Sequence, residues 1–368
     1  MKILHVATHY FPFSGGIEQL IFDLSTAQKK FSDVAILSCK FHKNLPNFEK
    51  KNGVEIWRAP KISILKNRFP LPIFGFSKIL QKINPDLIFT HGRFFLPTFL
   101  AGNFAKKFAK KWVHVEHSAD FLRSKNFFIN FSARIVDEFL GKKNLKNTDA
   151  IVVLSEKAKN FVQKFSGAKK IFIIENGVKI PRKISPLPQK NCAVFAGRMV
   201  AEKGICEISA AAKICKNWNF KFFGEFLCEN FKKKFLKNLP KNAEFCGKIS
   251  REKVVEKFAA ADLVLLPSTN EGFSLAALEA AAAGRAILGT DSGANAKIIS
   301  KNFLIKFGDA RKLAEKLHFL ENNFSILKKV GRENFQKVQN FSCEKMLQKY
   351  ENLVRKFFPE IFKNEKNF

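Results

Sequence analysis

Two glutamates, Glu271 and Glu279, frame the stretch of this chain best suited to chemistry. Between them lie Gly272, Phe273, Ser274 and Leu275, and ahead of them runs the apolar segment 261–266, stopped by Pro267. A short apolar run bounded by proline predicts a buried strand. Residues 275–283, dense in Ala and Leu, predict a helix with Ser274 as N-cap and Gly284 just past its end. Strand, short loop and helix N-terminus together offer free N–H groups and the positive end of a helix dipole, a setting that holds phosphate. Glu271 in the loop and Glu279 just over one turn into the helix would accept hydrogen bonds from hydroxyls. The ensemble suits a ligand carrying both phosphate and sugar hydroxyls.

Three other positions carry chemistry. Arg198 and Lys203 follow the strand at 193–196 and would stand at the carboxyl edge of a sheet, where open α/β proteins bind ligands. Arg forks onto phosphate oxygens, and Lys acts as a point charge. Two surface cations without a ligand are the plainer alternative. Gly15 and Gly16 follow the first strand and precede a helix, so a phosphate or sugar can approach the backbone there. The alternative is a turn and a helix start. His117 ends the fifth strand, where an imidazole can donate a hydrogen bond to a reacting sugar; His91 is placed likewise. Neither a G-x-G-x-x-G nor a Walker loop occurs, which disfavours a dehydrogenase or a P-loop enzyme.

The elements that would position these residues alternate along the chain. Strand-like runs fall at 2–7, 34–38, 54–58, 87–90, 113–116, 151–154 and 171–174, then at 193–196, 220–223, 244–246, 263–266, 286–289 and 304–307. Amphipathic stretches lie between them. Such alternation predicts α/β architecture, with parallel sheets covered by helices on both faces. Pro181, Pro186 and Pro188 mark a linker. The expected division is a first domain at 1–182, a linker at 183–190, a second domain at 191–341 and a helical, basic tail at 342–368.

A length of 368 residues suggests about two domains. No apolar run approaches the ~18–20 residues of a spanning helix, and the N-terminus lacks the apolar core of a signal peptide, so a cytoplasmic protein is expected. Seven scattered cysteines without a C-x-x-C pair read as reduced thiols, and no metal is expected. The net charge of +32 attracts nucleic acid or anionic lipid. It comes with 43 Phe against 2 Tyr and abundant Lys and Asn along the whole chain, which also fits AT-rich coding. No nucleic-acid reading module is present, so no specific nucleic acid is expected as a partner. Two basic–aromatic segments, one with Phe104 and Phe108, the other with Phe127, Phe128, Phe131, Ile135 and Phe139, suit either the inner face of an anionic membrane or packing on a sheet.

Taken together, these residues resemble the retaining glycosyltransferases of family 4, over nearly the whole chain. The Glu-x7-Glu stretch is the most specific part. Gly15-Gly16-Ile17-Glu18, Gly197-Arg198 with Lys203-Gly204, Asn176-Gly177-Val178 and Ser155-Glu156 support it. The resemblance implies the GT-B fold: two Rossmann-like, doubly wound parallel-sheet domains facing across a cleft, with a C-terminal helix crossing back to the first. It implies a nucleotide-diphosphate sugar donor, such as a UDP- or GDP-sugar, without cofactor or metal. Arg198 and Lys203 would hold the diphosphate, and Glu271 the sugar hydroxyls. Gly272, Phe273, Ser274 and Leu275 would line the donor, and Glu279 would bind the ribose. His117 would contact the sugar near the reacting carbon, with Gly15 and Gly16 approaching from the first domain. The acceptor would be a glycan, a lipid-linked sugar or a small molecule, in cell-surface polysaccharide or glycolipid synthesis. An epimerase or sugar phosphorylase on the same fold is the alternative, and a nucleic-acid binder a remote one. Three residues depart from the family pattern: Lys179 and Lys297, where acids are common, and Arg285, where proline is.

Overall fold

In a computed structural model of the chain, the described residues are 1–13, 15–64, 69–72, 75–121, 127–269, 273–292 and 295–362. Their contacts divide the chain into two compact units, Met1–Glu175 with Met346–Phe368, and Asn176–Lys345.

The first unit runs β1 (Lys2–Val6), α1 (Gly16–Gln28), β2 (Asp33–Cys39), β3 (Phe48–Lys51), β4 (Val54–Ala59), β5 (Lys61–Ile64), β6 (Phe69–Pro72), α2 (Phe76–Ile83), β7 (Leu87–His91) and α3 (Leu96–Lys107). It continues with β8 (Lys111–Glu116), α4 (Phe127–Val136), a π-helical turn (Asp137–Gly141), α5 (Lys142–Asn147), β9 (Ala150–Val153), α6 (Glu156–Ser166) and β10 (Ile171–Ile173). Its main sheet has the order β10-β9-β8-β7-β1-β2-β4-β3. All neighbours are parallel except β3, which pairs antiparallel with β4, while β5 and β6 form a separate antiparallel pair. The sequence reading omits β3: three of its four residues are charged, and the strand lies at the sheet edge, where such residues deter further pairing.

Parallel strands buried on both faces need near-continuous apolar runs. On one face Leu4, Val6, Ile88 and Trp112 pack with Phe76, Leu80 and Phe104 from α2 and α3. Phe104 thus belongs to the core, so the first basic–aromatic segment is a helix packed on the sheet. The opposite face carries His5 and Phe89, which share a register level on β1 and β7. The C-terminal helix, α13 in chain order (Cys343–Phe357), presents Met346, Tyr350, Leu353 and Val354 at helical spacing, all buried. The Tyr350 ring meets Phe89 edge-on at 6.3 Å.

The second unit runs β11 (Cys192–Ala196), α7 (Ile205–Ile214), β12 (Asn219–Phe223), α8 (Glu229–Lys237), β13 (Ala243–Gly247), α9 (Arg251–Ala259), β14 (Leu263–Leu266), α10 (Leu275–Ala282), β15 (Ala286–Thr290), β16 (Leu304–Ile305), α11 (Ala310–Leu320) and α12 (Phe324–Val338). Its parallel sheet has the order β13-β12-β11-β14-β15-β16. Chain order reverses between β11 and β14, the switch point at which doubly wound sheets open a ligand crevice.

The proline-rich stretch before β11 is tied to this unit. The fully buried Asp262 carboxylate accepts the N–H groups of Gln189 (2.7 Å), Lys190 (2.8 Å) and Cys192 (3.0 Å). Arg285, also buried, donates to the carbonyls of Pro186 (2.8 Å), Phe258 (3.3 Å) and Ala259. The last two are terminal carbonyls of α9, so the guanidinium satisfies a helix C-terminus. Burial lowers the Arg285 pKa, with Asp262 opposing the shift.

Candidate functional site

The switch point of the second unit collects most of the residues singled out in the sequence. After β11, Arg198 is exposed, and a short 3-10 turn, Ala201–Lys203, carries the half-buried Lys203. Gly204 ends that turn at φ +73°, a left-handed value, and a β-carbon there would overlap the carbonyl oxygen of Pro267. Only glycine meets both demands without strain. The loop after β14 is tied to the same place: Thr269 N–H donates to the Glu202 carbonyl at 2.9 Å. The loops that follow two adjacent parallel strands are therefore joined backbone to backbone.

Glu271 and Gly272 lie outside the described residues. Phe273 is buried, its ring meets Phe341 at 5.1 Å, and its carbonyl accepts the Asn176 amide at 2.9 Å. Ser274 caps α10 as expected, its hydroxyl accepting from Ala277 N–H at 3.4 Å, and Leu275 opens the helix half-buried. The helix closes with Gly284 N–H on the Ala281 carbonyl (2.9 Å) and Arg285 N–H on the Ala280 carbonyl (3.0 Å), with Gly284 at φ +70°. That is the paired 5→2 and 6→1 closure of a Schellman motif. Glu279 is buried and ion-paired, Oε1 to Arg251 Nε at 2.5 Å. Nothing local in the sequence announces this partner, because Arg251 opens α9, a different helix.

This edge of the sheet joins two cations, the N–H groups of a capped helix and an arginine-paired carboxylate. Fixed positive charge and free N–H groups attract an oxyanion. A carboxylate offers about four lone-pair directions, each of which accepts an N–H or O–H hydrogen.

In the first unit, Gly15 is the N-cap of α1 and Gly16 its first residue. Gly15 is extended, at φ −160°, so its value is spatial: a β-carbon would stand 2.7 Å from the carboxylate of the buried Glu18. His117 follows β8, half-buried, with Nε2 3.2 Å from Nδ1 of His91. Burial lowers the His117 pKa to about 4, against the pull of the Glu116 charge. Beside it on the chain lies a buried ionic cluster. Arg93 reaches Glu116 at 3.0 Å and grips Asp137 with two bonds of 2.9 Å. Burial alone would raise the Glu116 pKa. The Arg93 charge, His114 and the Ser118 N–H outweigh it and lower the value to about 2. Asp137 is shifted upward, because burial there outweighs Arg93. No spacing rule flags this cluster, since Arg93 and Asp137 are paired only by the fold.

Comparison with known proteins fits this arrangement. Residues 14–182 match the family described as Glycosyltransferase Family 4, and residues 179–337 match Glycosyl transferases group 1. An uncharacterized glycosyltransferase of Methanocaldococcus jannaschii is 29% identical, over 97% of this chain and 98% of that protein. The N,N'-diacetylbacillosaminyl-diphospho-undecaprenol alpha-1,3-N-acetylgalactosaminyltransferase of Campylobacter jejuni is 25% identical, over 79% of this chain and 82% of that one. Among solved structures, Anabaena HepE in complex with UDP-glucose superposes with a TM-score of 0.74 at 16% identity, covering 97% of this chain and 100% of that one. With both halves matched and the two parallel sheets in place, the chain belongs to glycosyltransferase family 4 and is an enzyme of the GT-B fold.

Proposed function

We propose that the chain transfers a sugar from a nucleotide-diphosphate donor, such as a UDP- or GDP-sugar, with retention of anomeric configuration, and needs no cofactor. The observation that carries this is the backbone bond between Thr269 and Glu202, which joins the loop after β11, the one that carries Arg198 and Lys203, to the loop that leaves β14. In transfer, the bond from the anomeric carbon to the β-phosphate oxygen breaks and its electron pair leaves with the diphosphate. The acceptor oxygen bonds to the same face of that carbon, and its proton passes to a phosphate oxygen. Negative charge grows on the diphosphate as the bond breaks, so Arg198, Lys203 and the helix N–H groups stabilise the transition state more than the bound donor. Glu271 binds sugar hydroxyls, Glu279 the ribose, and the backbone at 272–275 lines the donor. His117, Gly15 and Gly16 complete the sugar contacts. The UDP-glucose bound by HepE supports this donor class.

The acceptor we propose is a glycan or a lipid-linked saccharide, met at the inner membrane surface. The Campylobacter relative supports it, since its name specifies a diphospho-undecaprenol substrate. So does the surface of the first unit. Phe131, Ile135 and Phe139 stand four residues apart on α4 and the π-helical turn, all exposed, Phe139 by 74%. Apolar side chains repeated at that spacing on a protein of charge +32 suit an anionic bilayer. No helix among the described residues is long and apolar enough to cross a membrane.

Thermal shift with UDP and GDP tests the donor site, since a ligand that prefers the native state raises Tm. One diphosphate should raise it, and Lys203→Ala should remove the rise. Glu271→Gln and Lys203→Ala should each abolish transfer with the fold intact. No shift with either nucleotide, or normal transfer by both variants, refutes the assignment. An inverted product or a captured glycosyl-enzyme adduct refutes front-face retention.

A further inference from the structure

Three histidines far apart in the chain form one hydrogen-bonded line in the first unit. His5 lies on β1, His91 ends β7 and His117 follows β8, on strands adjacent in the order β8-β7-β1. The register sets His5 level with Phe89, and His91 level with Val115. Side chains two residues apart on a strand share a face. The three imidazoles therefore climb one face of the sheet diagonally toward its carboxyl edge. His5 Nδ1 is 3.2 Å from His91 Nε2, and His91 Nδ1 is 3.2 Å from His117 Nε2. At the inner end, His5 Nε2 is 2.7 Å from Oε1 of the buried Gln28, at the end of α1. His5 also stacks on Phe89, with ring centroids 5.1 Å apart and planes 12° apart, so its ring cannot turn freely.

A ring nitrogen facing another ring nitrogen must share one hydrogen: two lone pairs repel, and two N–H groups collide. Each ring therefore sets the tautomer of the next. The structure assigns Gln28, His5 and His91 as positioning residues that fix which nitrogen of His117 carries its hydrogen. The Gln28 carbonyl oxygen, which the structure sets 2.7 Å from His5 Nε2, accepts from His5 Nε2–H. His5 Nδ1 then accepts from His91 Nε2–H, and His91 Nδ1 accepts from His117 Nε2–H. His117 is left with a bare Nδ1, an acceptor for a ligand hydroxyl rather than a donor to it. Burial lowers the pKa of His5 to about 4 and that of His91 well below its usual value, which keeps the line neutral. A cation in the His5 or His91 ring would put two hydrogens into one of the contacts.

That His117 faces a sugar rests on the proposed function; the order of hydrogens along the line does not. The test uses the full chain with 15N-labelled histidine and no ligand. Long-range 1H–15N correlations distinguish protonated from bare ring nitrogens, and single substitutions identify each ring. We expect Nε2–H on all three. Gln28→Met, which removes the terminal acceptor at similar volume, should convert the single His117 tautomer into a mixture. Gln28→Glu, which keeps an acceptor, should restore it. His5→Phe, which keeps the stacked ring and cuts the line, should act like Gln28→Met. An Nδ1–H tautomer on His117 in the unaltered chain overturns the proposal. So does a His117 signal unmoved in both Gln28→Met and His5→Phe while the remaining spectrum shows the native fold. In a transfer assay, Gln28→Met should lower kcat about twofold, the loss for a 50:50 tautomer mixture, with donor KM unchanged. If tautomers respond as expected but His117→Ala transfers normally, the hydrogen-bonded line stands and the sugar contact of His117 falls.

Discussion

Replacing Arg93 by Met tests whether the ionic cluster beneath the sheet edge holds the first unit together. The guanidinium is fully buried and serves two buried carboxylates, Glu116 and Asp137. Removing one member of a buried ion pair typically costs about 3–5 kcal/mol, because the remaining charge has neither water nor partner. The titration of Glu116 points the same way: the Arg93 charge leads the interactions that hold its carboxyl at about 2 against the upward push of burial. A folded-state pKa below the unfolded one stabilises above the unfolded value, and that stability is lost only as pH falls toward 2. In Arg93→Met the sign reverses for Glu116, and the upward shift of Asp137 grows. Both carboxyls then sit above their unfolded values, the native state binds more protons, and stability falls as pH rises. Urea unfolding followed through Trp57 and Trp112, both in the first unit, measures this. We expect a deficit of about 3–5 kcal/mol at pH 7 that narrows by at least about 1 kcal/mol at pH 5. A deficit below about 1 kcal/mol at pH 7, or one independent of pH, would refute the reasoning.

Other outcomes follow from the same inspection. Gly204→Ala should destabilise the second unit by about 1–3 kcal/mol and abolish the UDP or GDP thermal shift, since the left-handed turn and the Pro267 carbonyl both resist a β-carbon; an unchanged urea midpoint with full nucleotide binding counts against it. Arg285→Met leaves the carbonyls of Pro186, Phe258 and Ala259 without their donor and should cost about 2–4 kcal/mol, read through the buried Trp218. Phe131→Glu with Phe139→Glu should abolish flotation on vesicles containing anionic lipid at low salt. A parent protein that stays in the pellet under those conditions ends the membrane assignment.

Much of this site can be read locally. The β14–α10 unit follows from an apolar run, a proline, a capping serine and a closing glycine, and each does in the fold what its chemistry suggests. The alternation of strands and helices gives the two parallel sheets for the same reason. What escapes is pairing between distant segments. Arg251 meets Glu279 only because α9 and α10 pack together. His5, His91 and His117 look unrelated in the sequence until strand register aligns them. Arg285 stands where the family has proline, and its task depends on helix-end carbonyls that no sequence window contains. The edge strand β3 is too polar to resemble the buried strands around it.

The placement of α13 constrains how the polypeptide matures on the ribosome. Met346, Tyr350, Leu353 and Val354 complete the hydrophobic interior of a unit whose other residues end at Glu175. During vectorial synthesis the middle unit can emerge and close while the first still lacks its final layer. The earlier half must wait as an incomplete intermediate until the last segment is translated. A nascent chain arrested before residue 346 should therefore be recognised by chaperones and cleaved by proteases within residues 1–175, while residues 176–345 resist.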